Sequence, residues 1–141
     1  MSKANTFETD LLSKVFCNTS LSWDAITNIY VALHTADPGE AGSQTTSETA
    51  YTSYARVAVA RTTAGWTVSS PGGVGTVVNA SAITFPQCTS ASSQVTYFSV
   101  GQLTSGAGQI FYSGALSGGG LAVTNGVTPS FAAGNLTITE D

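Results

Sequence analysis

Hydrophobic and polar residues alternate along two segments in the first half of the chain, residues 29–34 and 54–61. In the first segment, Ile29, Val31 and Leu33 fall on one face, and smaller or polar side chains fall on the other. The second segment alternates in the same way, with valine and alanine on its apolar face. A period of two is typical of a β-strand with two unlike faces. The pattern therefore predicts two strands.

The segment between these strands, residues 35–53, is polar and too long for a tight hairpin. It contains the dipeptide Pro38-Gly39, a strong turn signal. Its second part, residues 43–49, has no apolar anchor before Tyr51 and Tyr54. Long ordered loops in compact domains are often functional. We therefore expect this loop to contribute to the functional surface.

One helix is predicted near the start of the chain, over residues 5–17. Asn5 and Glu8 have the spacing of a capping box, with asparagine in the capping position. At helical spacing one face then carries the apolar residues Phe7, Leu11, Leu12, Val15 and Phe16. Such a face predicts docking on the edge or end of a sheet. Binding to a partner protein is the alternative use of this face.

The rest of the chain consists of short alternating segments separated by glycine, asparagine and proline. Among them are residues 74–78, 80–85, 94–102, 109–113 and 135–139. We count about eight candidate strands, which suits a jelly roll of this length. The sequence therefore predicts an all-β fold, a jelly-roll-like β-sandwich with one N-terminal helix. Residues 1–141 are expected to form a single domain.

Charged residues are unusually scarce, at 9% of the chain, against roughly 25% in typical soluble domains. The net charge is −4 and only four residues are basic. Nucleic-acid binding and polybasic membrane contact both require a basic patch, so neither is expected. A surface with little charge tolerates close contact with copies of itself or a partner. This favours a component of an assembly, and a secreted or simply neutral-surfaced β domain is the alternative.

The N-terminus has no hydrophobic signal-peptide core, so the chain is expected to be made and kept in a cytoplasm. No apolar run approaches the ~18 residues of a membrane span. In that compartment Cys17 and Cys88 are expected to be free thiols, with a disulfide as the less favoured reading. A zinc site formed by both cysteines and His34 lacks the close ligand pairs typical of structural zinc.

The sequence predicts no catalytic residues, metal or cofactor. His34 is the single histidine and stands near Asp37, but no Gly-x-Ser-x-Gly motif accompanies them. A hydrogen bond from His34 to the loop backbone is the simpler expectation. Asp37, Glu40 and Glu48 could bind calcium in the loop, although the D-x-D-x-D-G pattern is absent.

Aromatic residues and arginine are enriched in protein interfaces, and several lie on or beside the two strands. The predicted partner interface consists of His34, Asp37, Glu40, Tyr51, Tyr54, Arg56 and Arg61. For Arg56 two roles remain open. It can pair with a partner's carboxylate or with an acid of its own loop. Six aromatics could also form a sugar-stacking platform: Tyr30, Tyr51, Tyr54, Trp66, Tyr97 and Tyr112.

Four stretches of the chain resemble a family of small structural proteins from tailed bacteriophages. They are YVALHTADPGEAG (30–42), YARVAVAR (54–61), GW (65–66) and PSFAAGNLTITED (129–141). Members of that family are often labelled tail fibre proteins. The size and β character are also similar to the jelly-roll cement protein on the capsid of a Bordetella bacteriophage.

The resemblance implies a structural role in the virion, on the outer surface of the capsid. It implies a capsid cement (decoration) protein that clamps neighbouring major capsid subunits, commonly as a homodimer or a higher symmetric assembly. Synthesis would take place in the host cytoplasm. The alternative is a phage tail fibre or tail-tip module that binds a receptor or glycan. No catalytic residues follow from the resemblance.

Overall fold

The computed structural model describes residues 1–140, which form an all-β structure with one α-helix. The helix α1 spans Asn5–Cys17. The strands are β1 (Ser2–Lys3), β2 (Asn28–His34), β3 (Val57–Ala60), β4 (Trp66–Ser69), β5 (Gly75–Asn79), β6 (Ile83–Thr84), β7 (Ser93–Val95), β8 (Tyr97–Gly101), β9 (Ile110–Ala115), β10 (Leu121–Val123), β11 (Ser130–Phe131) and β12 (Thr137–Glu140). Short 3-10 turns lie at Pro71–Gly73 and Ser117–Gly119.

The central sheet has five strands in the order β1-β9-β8-β2-β3, and every neighbouring pair is antiparallel. Val31 in β2 lies opposite Val57 in β3 and Val100 in β8. This register keeps the aliphatic residues of the three strands on one face, because side chains alternate along a strand. The alternation of residues 29–34 is thereby explained.

Three smaller antiparallel sheets complete the fold. One has the order β12-β5-β4, and the other two are the ribbons β10-β7 and β11-β6. Their inward residues join the central sheet in one hydrophobic cluster, which includes Ile83, Phe85, Val123, Leu136 and Ile138. The arrangement confirms the predicted all-β sandwich with one helix. Among residues 1–140, no helix is long and apolar enough to span a membrane.

The predicted helix has the correct bounds, but its predicted cap is wrong. Ala4 is the N-cap residue, and no side chain caps the helix. The backbone N–H of Glu8 bonds to the Ala4 carbonyl, so the N-cap lies one residue before Asn5, the predicted capping residue. At the other end Asn18 adopts a left-handed conformation, and its N–H donates to the Ser13 carbonyl. Asparagine tolerates this conformation better than most residues.

The apolar face of α1 is only partly docked, contrary to the simpler expectation. Phe7 is buried against Trp23, Phe111 and Tyr112. Leu11 packs at the edge of the same cluster. The three remaining apolar residues of the face, Leu12, Val15 and Phe16, are exposed.

The predicted strand over residues 54–61 is shorter in the structure, where β3 begins at Val57. The chain turns just before it, because the Tyr54 N–H donates to the Tyr51 carbonyl and Ser53 has a φ of 81°. The predicted strand over residues 94–102 is divided at Thr96. Its N–H donates to the His34 carbonyl, outside the ladder that joins β7 to β10.

Both cysteines are free thiols, as predicted. Cys88 is buried, and its thiol donates to the Ser90 carbonyl oxygen at 3.2 Å. Cys17 is exposed at the end of α1. The two residues therefore occupy unlike environments, and the disulfide alternative is wrong.

Candidate functional site: the anchored loop

The loop that joins β2 to β3, residues 35–56, lies against the polar face of the central sheet. That face carries the buried residues Ala32, Ser99, Gly101 and Ser113. Their side chains are small, so the loop backbone can approach the sheet closely. The loop is ordered by hydrogen bonds more than by apolar contacts. We call this segment the anchored loop.

Gln44 is the inner anchor of the loop and is fully buried. Its side-chain oxygen accepts from the Leu103 N–H at 2.8 Å, and its amide donates to the Leu103 carbonyl at 3.3 Å. A Cβ atom at Gly101 would lie 2.5 Å from Gln44 Cδ and 2.6 Å from the Gln109 carbonyl oxygen. The absence of a side chain at Gly101 is therefore required for this anchor. Sequence reasoning missed Gln44, because nothing distinguishes it from the other polar residues around it.

His34 is the second anchor, and both of its ring nitrogens have partners. Nδ1 lies 2.8 Å from the Thr46 carbonyl oxygen, and Nε2 lies 2.8 Å from Ser99 Oγ. A carbonyl oxygen only accepts, so Nδ1 carries the proton and the neutral ring accepts the Ser99 hydroxyl at Nε2. The expected bond from His34 to the loop backbone is confirmed. Among residues 1–140 no carboxylate forms a hydrogen bond with the ring, and the ring is buried.

Arg56 and Glu48 form the third and strongest anchor. Arg56 Nε and Nη2 each donate to one oxygen of the Glu48 carboxylate, both at 2.7 Å. The same guanidinium donates to the carbonyls of Leu103 at 2.9 Å and Gly106 at 2.8 Å. The Arg56 side chain is only 2% exposed and that of Glu48 15%. Of the two roles open for Arg56, the intramolecular ion pair is therefore the one found.

Tyr54 links this ion pair to the central sheet. Its hydroxyl donates to Glu48 Oε1 at 2.9 Å and accepts from the Leu33 N–H at 3.1 Å. Burial and the neighbouring carboxylate raise the pKa of the Tyr54 hydroxyl far above its ordinary value. The hydroxyl therefore remains a donor at physiological pH. It holds the carboxylate in place.

The structure does not unite the seven predicted interface residues on one surface. His34, Tyr51 and Arg56 are buried, Tyr54 is half-buried, and Asp37, Glu40 and Arg61 are exposed. Arg61 lies away from the loop, where Nη1 donates to the carbonyls of Trp23 and Asp24. The polar groups of the buried residues form hydrogen bonds within the chain. These residues therefore support the surface and do not present polar groups on it. This corrects the expectation that His34, Tyr51 and Arg56 offer side chains to a partner.

The loop carboxylates have separate partners. Asp37 accepts from the Gly39 N–H, Glu40 accepts from the Ser2 hydroxyl, and Glu48 is held by Arg56. Across residues 1–140, no three histidine, cysteine or acidic residues are close enough together to hold a metal ion. The calcium and zinc alternatives therefore have no ligand cluster in this part of the chain.

The six aromatic residues considered for sugar stacking do not form a platform. Tyr51 and Trp66 are buried, and the other four are half-buried. Tyr51 donates its hydroxyl to the Pro86 carbonyl at 2.8 Å. The rings of Tyr54 and Phe85 lie nearly parallel inside the cluster. Four of the six, Tyr51, Tyr54, Trp66 and Tyr112, pack in the hydrophobic cluster.

Acidification is expected to destabilise the fold through His34. Burial lowers the pKa of His34 below its ordinary value of 6.5, and the bond to Thr46 only partly opposes this. The unfolded chain therefore takes up a proton at a higher pH than the folded chain. The stability that the neutral ring provides is complete above pH 6.5 and is lost progressively as the pH falls below it.

The measurement for this prediction is the melting temperature from about pH 8 to about pH 5. His34→Asn is the control, because its amide can still donate towards Thr46 but does not titrate. We expect a flatter pH profile for the variant than for the parent chain. Parallel profiles would show that another group causes the loss.

Fold and site together define a small all-β structural domain whose surface loop is held by buried polar contacts. The chain belongs to the Gp80 family, described as podophage GP4 fiber I protein gp80, whose family model matches residues 2–139. It is thus a phage virion structural protein, and the resemblance to tailed-phage proteins is confirmed at this level. A search of curated proteins gives no significant match. The closer likeness to the Bordetella cement protein stays a prediction.

Proposed function

We propose that this chain is a capsid decoration protein that binds the mature phage head and clamps neighbouring major capsid subunits. It would act without catalysis or a cofactor, on the outer surface of the virion. Its partners would be the major capsid protein and further copies of itself. Membership of the Gp80 family supports a location in the virion. The ordered anchored loop supports binding through a surface that is formed before the partner is met.

The observation that carries the proposal is the contrast between the two sides of the anchored loop. On its inner side, the polar groups of Gln44, His34 and the Arg56–Glu48 pair are largely buried and hydrogen-bonded within the chain. Its outer side exposes short polar residues, among them Thr45 and Ser47. A loop ordered before binding loses little conformational entropy when it meets a partner. A protein that must strengthen a shell by contact alone benefits from such a surface.

Binding of this kind stabilises the shell by mass action. A ligand that binds the mature lattice and not its disrupted form shifts the equilibrium towards the intact lattice. The low charge content of the chain favours such binding, because charged surfaces must be desolvated when they are buried. Lys3, Lys14 and Arg56 are already paired with acids of the same chain.

The second candidate is a component of the tail fibre. The family description as a fiber protein favours it. A tip module that binds glycans would be expected to expose aromatic rings for stacking. The six candidate aromatics are buried or half-buried, so the glycan-binding form of this alternative has less support than a structural place in the fibre.

Immunogold labelling of intact virions tests the proposal. Antibody against this chain is expected to place gold over the whole head, and purified protein added in excess should abolish the labelling. Heads that lack the chain should then release DNA at a lower temperature than complete heads. Gold confined to the tail would overturn the decoration role and leave the fibre role.

A further inference from the structure

The exposed residues Leu12, Val15 and Phe16 form what we call the apolar stripe of α1. They are 60%, 73% and 79% exposed. A surface helix normally turns charged or polar residues to solvent. The residues fall within one side of the helix, because each residue advances by about 100°. A contiguous apolar surface of this kind marks a contact site.

The same chain contains an apolar pocket of about 340 Å³ beside α1. It lies between the central sheet and the sheet formed by β12, β5 and β4. Apolar side chains form most of its wall: Phe7, Trp66, Val68, Val77, Phe111 and Ile138. Val68 is 78% exposed at its rim. We call this the Trp66 pocket.

The Trp66 ring at this pocket has an unpaired N–H. Within residues 1–140, Trp66 Nε1 is the buried side-chain polar atom without a partner, although the ring is 8% exposed. Buried N–H groups are normally paired. The N–H is covered in the free chain, so an occupant that brings an acceptor as well as apolar groups would pair it once the Trp66 ring turns towards the pocket.

The C-terminal end of α1 carries both backbone carbonyl acceptors and apolar side chains. The last four carbonyls of a helix have no partner within the helix. Here the N–H groups of Asn18 and Thr19 both bond to the Ser13 carbonyl, one residue before those four. The stripe residues Val15 and Phe16 therefore bring carbonyl acceptors with their side chains.

The volume of the Trp66 pocket also matches the size of the side chains in the apolar stripe. An apolar cavity of about 150 Å³ holds one benzene molecule. The Trp66 pocket therefore has room for the ring of Phe16 and one aliphatic side chain of the stripe. The chain cannot fill its own pocket in this way. Phe7 already lines the pocket, and Phe16 lies roughly 13 Å farther along the helix axis.

Charge complements the apolar match. Arg61 lines the pocket, and within the described chain it is the basic residue that forms no ion pair. Its Nη1 donates to backbone carbonyls and its guanidinium lies 5.4 Å from the centre of the Trp23 ring, while its other nitrogens form no hydrogen bond among the described residues. Glu8 is exposed one helical turn before Leu12 and likewise forms no ion pair among residues 1–140.

We propose that the apolar stripe of one copy docks into the Trp66 pocket of a second copy, with Glu8 facing Arg61. The contact joins two different surfaces, so copies either close into a ring or a reciprocal dimer or continue head to tail. This inference goes beyond the proposed function, because it holds for a shell protein and a fibre protein alike. Failure of this contact would remove self-association through these two surfaces and leave binding to the major capsid protein untouched.

Sedimentation of the full chain tests the contact with two variants, Phe16→Lys in the stripe and Val68→Lys at the pocket. Both positions are exposed, so the fold should be unaffected, and unchanged melting curves would verify this. The parent chain is expected to associate. Each variant alone should associate at least tenfold more weakly. Leu121→Lys, at an exposed apolar position on β10, is the matched control and should associate like the parent.

Mixing the two lysine variants gives the decisive result. Phe16→Lys retains an intact pocket and Val68→Lys an intact stripe, so the mixture should form a one-to-one heterodimer. The two mutated surfaces both carry lysine and cannot attract each other. A mixture that remains monomeric would overturn the proposal, as would a parent chain that is monomeric at its highest soluble concentration. Association that survives both substitutions would also refute it.

Discussion

Replacing Arg56 by alanine is expected to destabilise the fold by about 3 to 5 kcal/mol, the usual cost of breaking a buried ion pair. The substitution leaves the Glu48 carboxylate without its cation in a site where it is 15% exposed. It also removes the donors that hold the carbonyls of Leu103 and Gly106. The anchored loop would then be tied to the segment before β9 only through Gln44.

Chemical denaturation of Arg56→Ala, with Arg56→Lys beside it, measures this effect. Lysine retains the charge but lacks the fork that engages both carboxylate oxygens, so we expect an intermediate loss. Lys14→Ala is the matched control. It removes an ion pair with Asp24 whose side chains are both about one third exposed, and exposed pairs contribute little.

The double variant Arg56→Leu with Glu48→Leu should be more stable than the sum of the single losses predicts. Removing both charges leaves neither buried alone. If Arg56→Ala lowers the free energy of unfolding by less than about 1 kcal/mol, the Arg56–Glu48 pair contributes no more than an exposed ion pair. That result would contradict its role as the main anchor. If the decoration proposal is correct, weaker attachment of this variant would follow from a disordered loop, not from a lost partner contact.

Replacing Asn79 by alanine is expected to cost about 2 to 3 kcal/mol, because it leaves a buried backbone donor unpaired. Asn79 is buried at the end of β5, and its side-chain oxygen accepts from the Leu136 N–H at 2.9 Å. Its amide donates to the carbonyls of Ser81 at 2.8 Å and Ala132 at 2.9 Å. One side chain thus joins β5 to the approach to β12.

Thermal and denaturant unfolding of Asn79→Ala measure this loss. Asn135→Ala is the matched control, an asparagine at an exposed position in the same region, and should leave stability nearly unchanged. Native hydrogen exchange should show faster exchange at the Leu136 amide in Asn79→Ala alone. Equal stability of both variants would mean that water replaces the Asn79 bonds.

The local pattern of apolar and polar residues was sufficient to predict the helix and several strands. The alternation in residues 29–34 predicted β2 because one of its faces meets an apolar core and side chains alternate strictly. The helical spacing after Asn5 predicted α1 with both ends correct. The alternating segment predicted over residues 135–139 contains Leu136 and Ile138, and both are buried. These features depend on neighbours in sequence, so the sequence displays them.

Other features depended on contacts between distant parts of the chain. The strand predicted from residue 54 begins at Val57 because the chain turns at Tyr51–Tyr54. Arg56 then bonds to carbonyls about 50 residues later, which local pattern cannot show. Gln44 gives no sequence signal, because its partners at Leu103 and Gly101 become neighbours only in the folded sheet. The sequence likewise did not show that three of the five apolar residues on the α1 face are exposed, since periodicity predicts a face but not what covers it.

By itself the sequence determined an all-β domain with one helix, free thiols, a surface poor in charge and a likeness to tailed-phage structural proteins. These follow from composition and short-range pattern. Only the tertiary structure decided that the anchored loop is held by buried polar groups and that Arg56 serves the fold. It alone placed the apolar stripe and the Trp66 pocket on one molecule. The physical reason is that burial and hydrogen-bond pairing are set by which distant segments meet, and the order of residues does not state this.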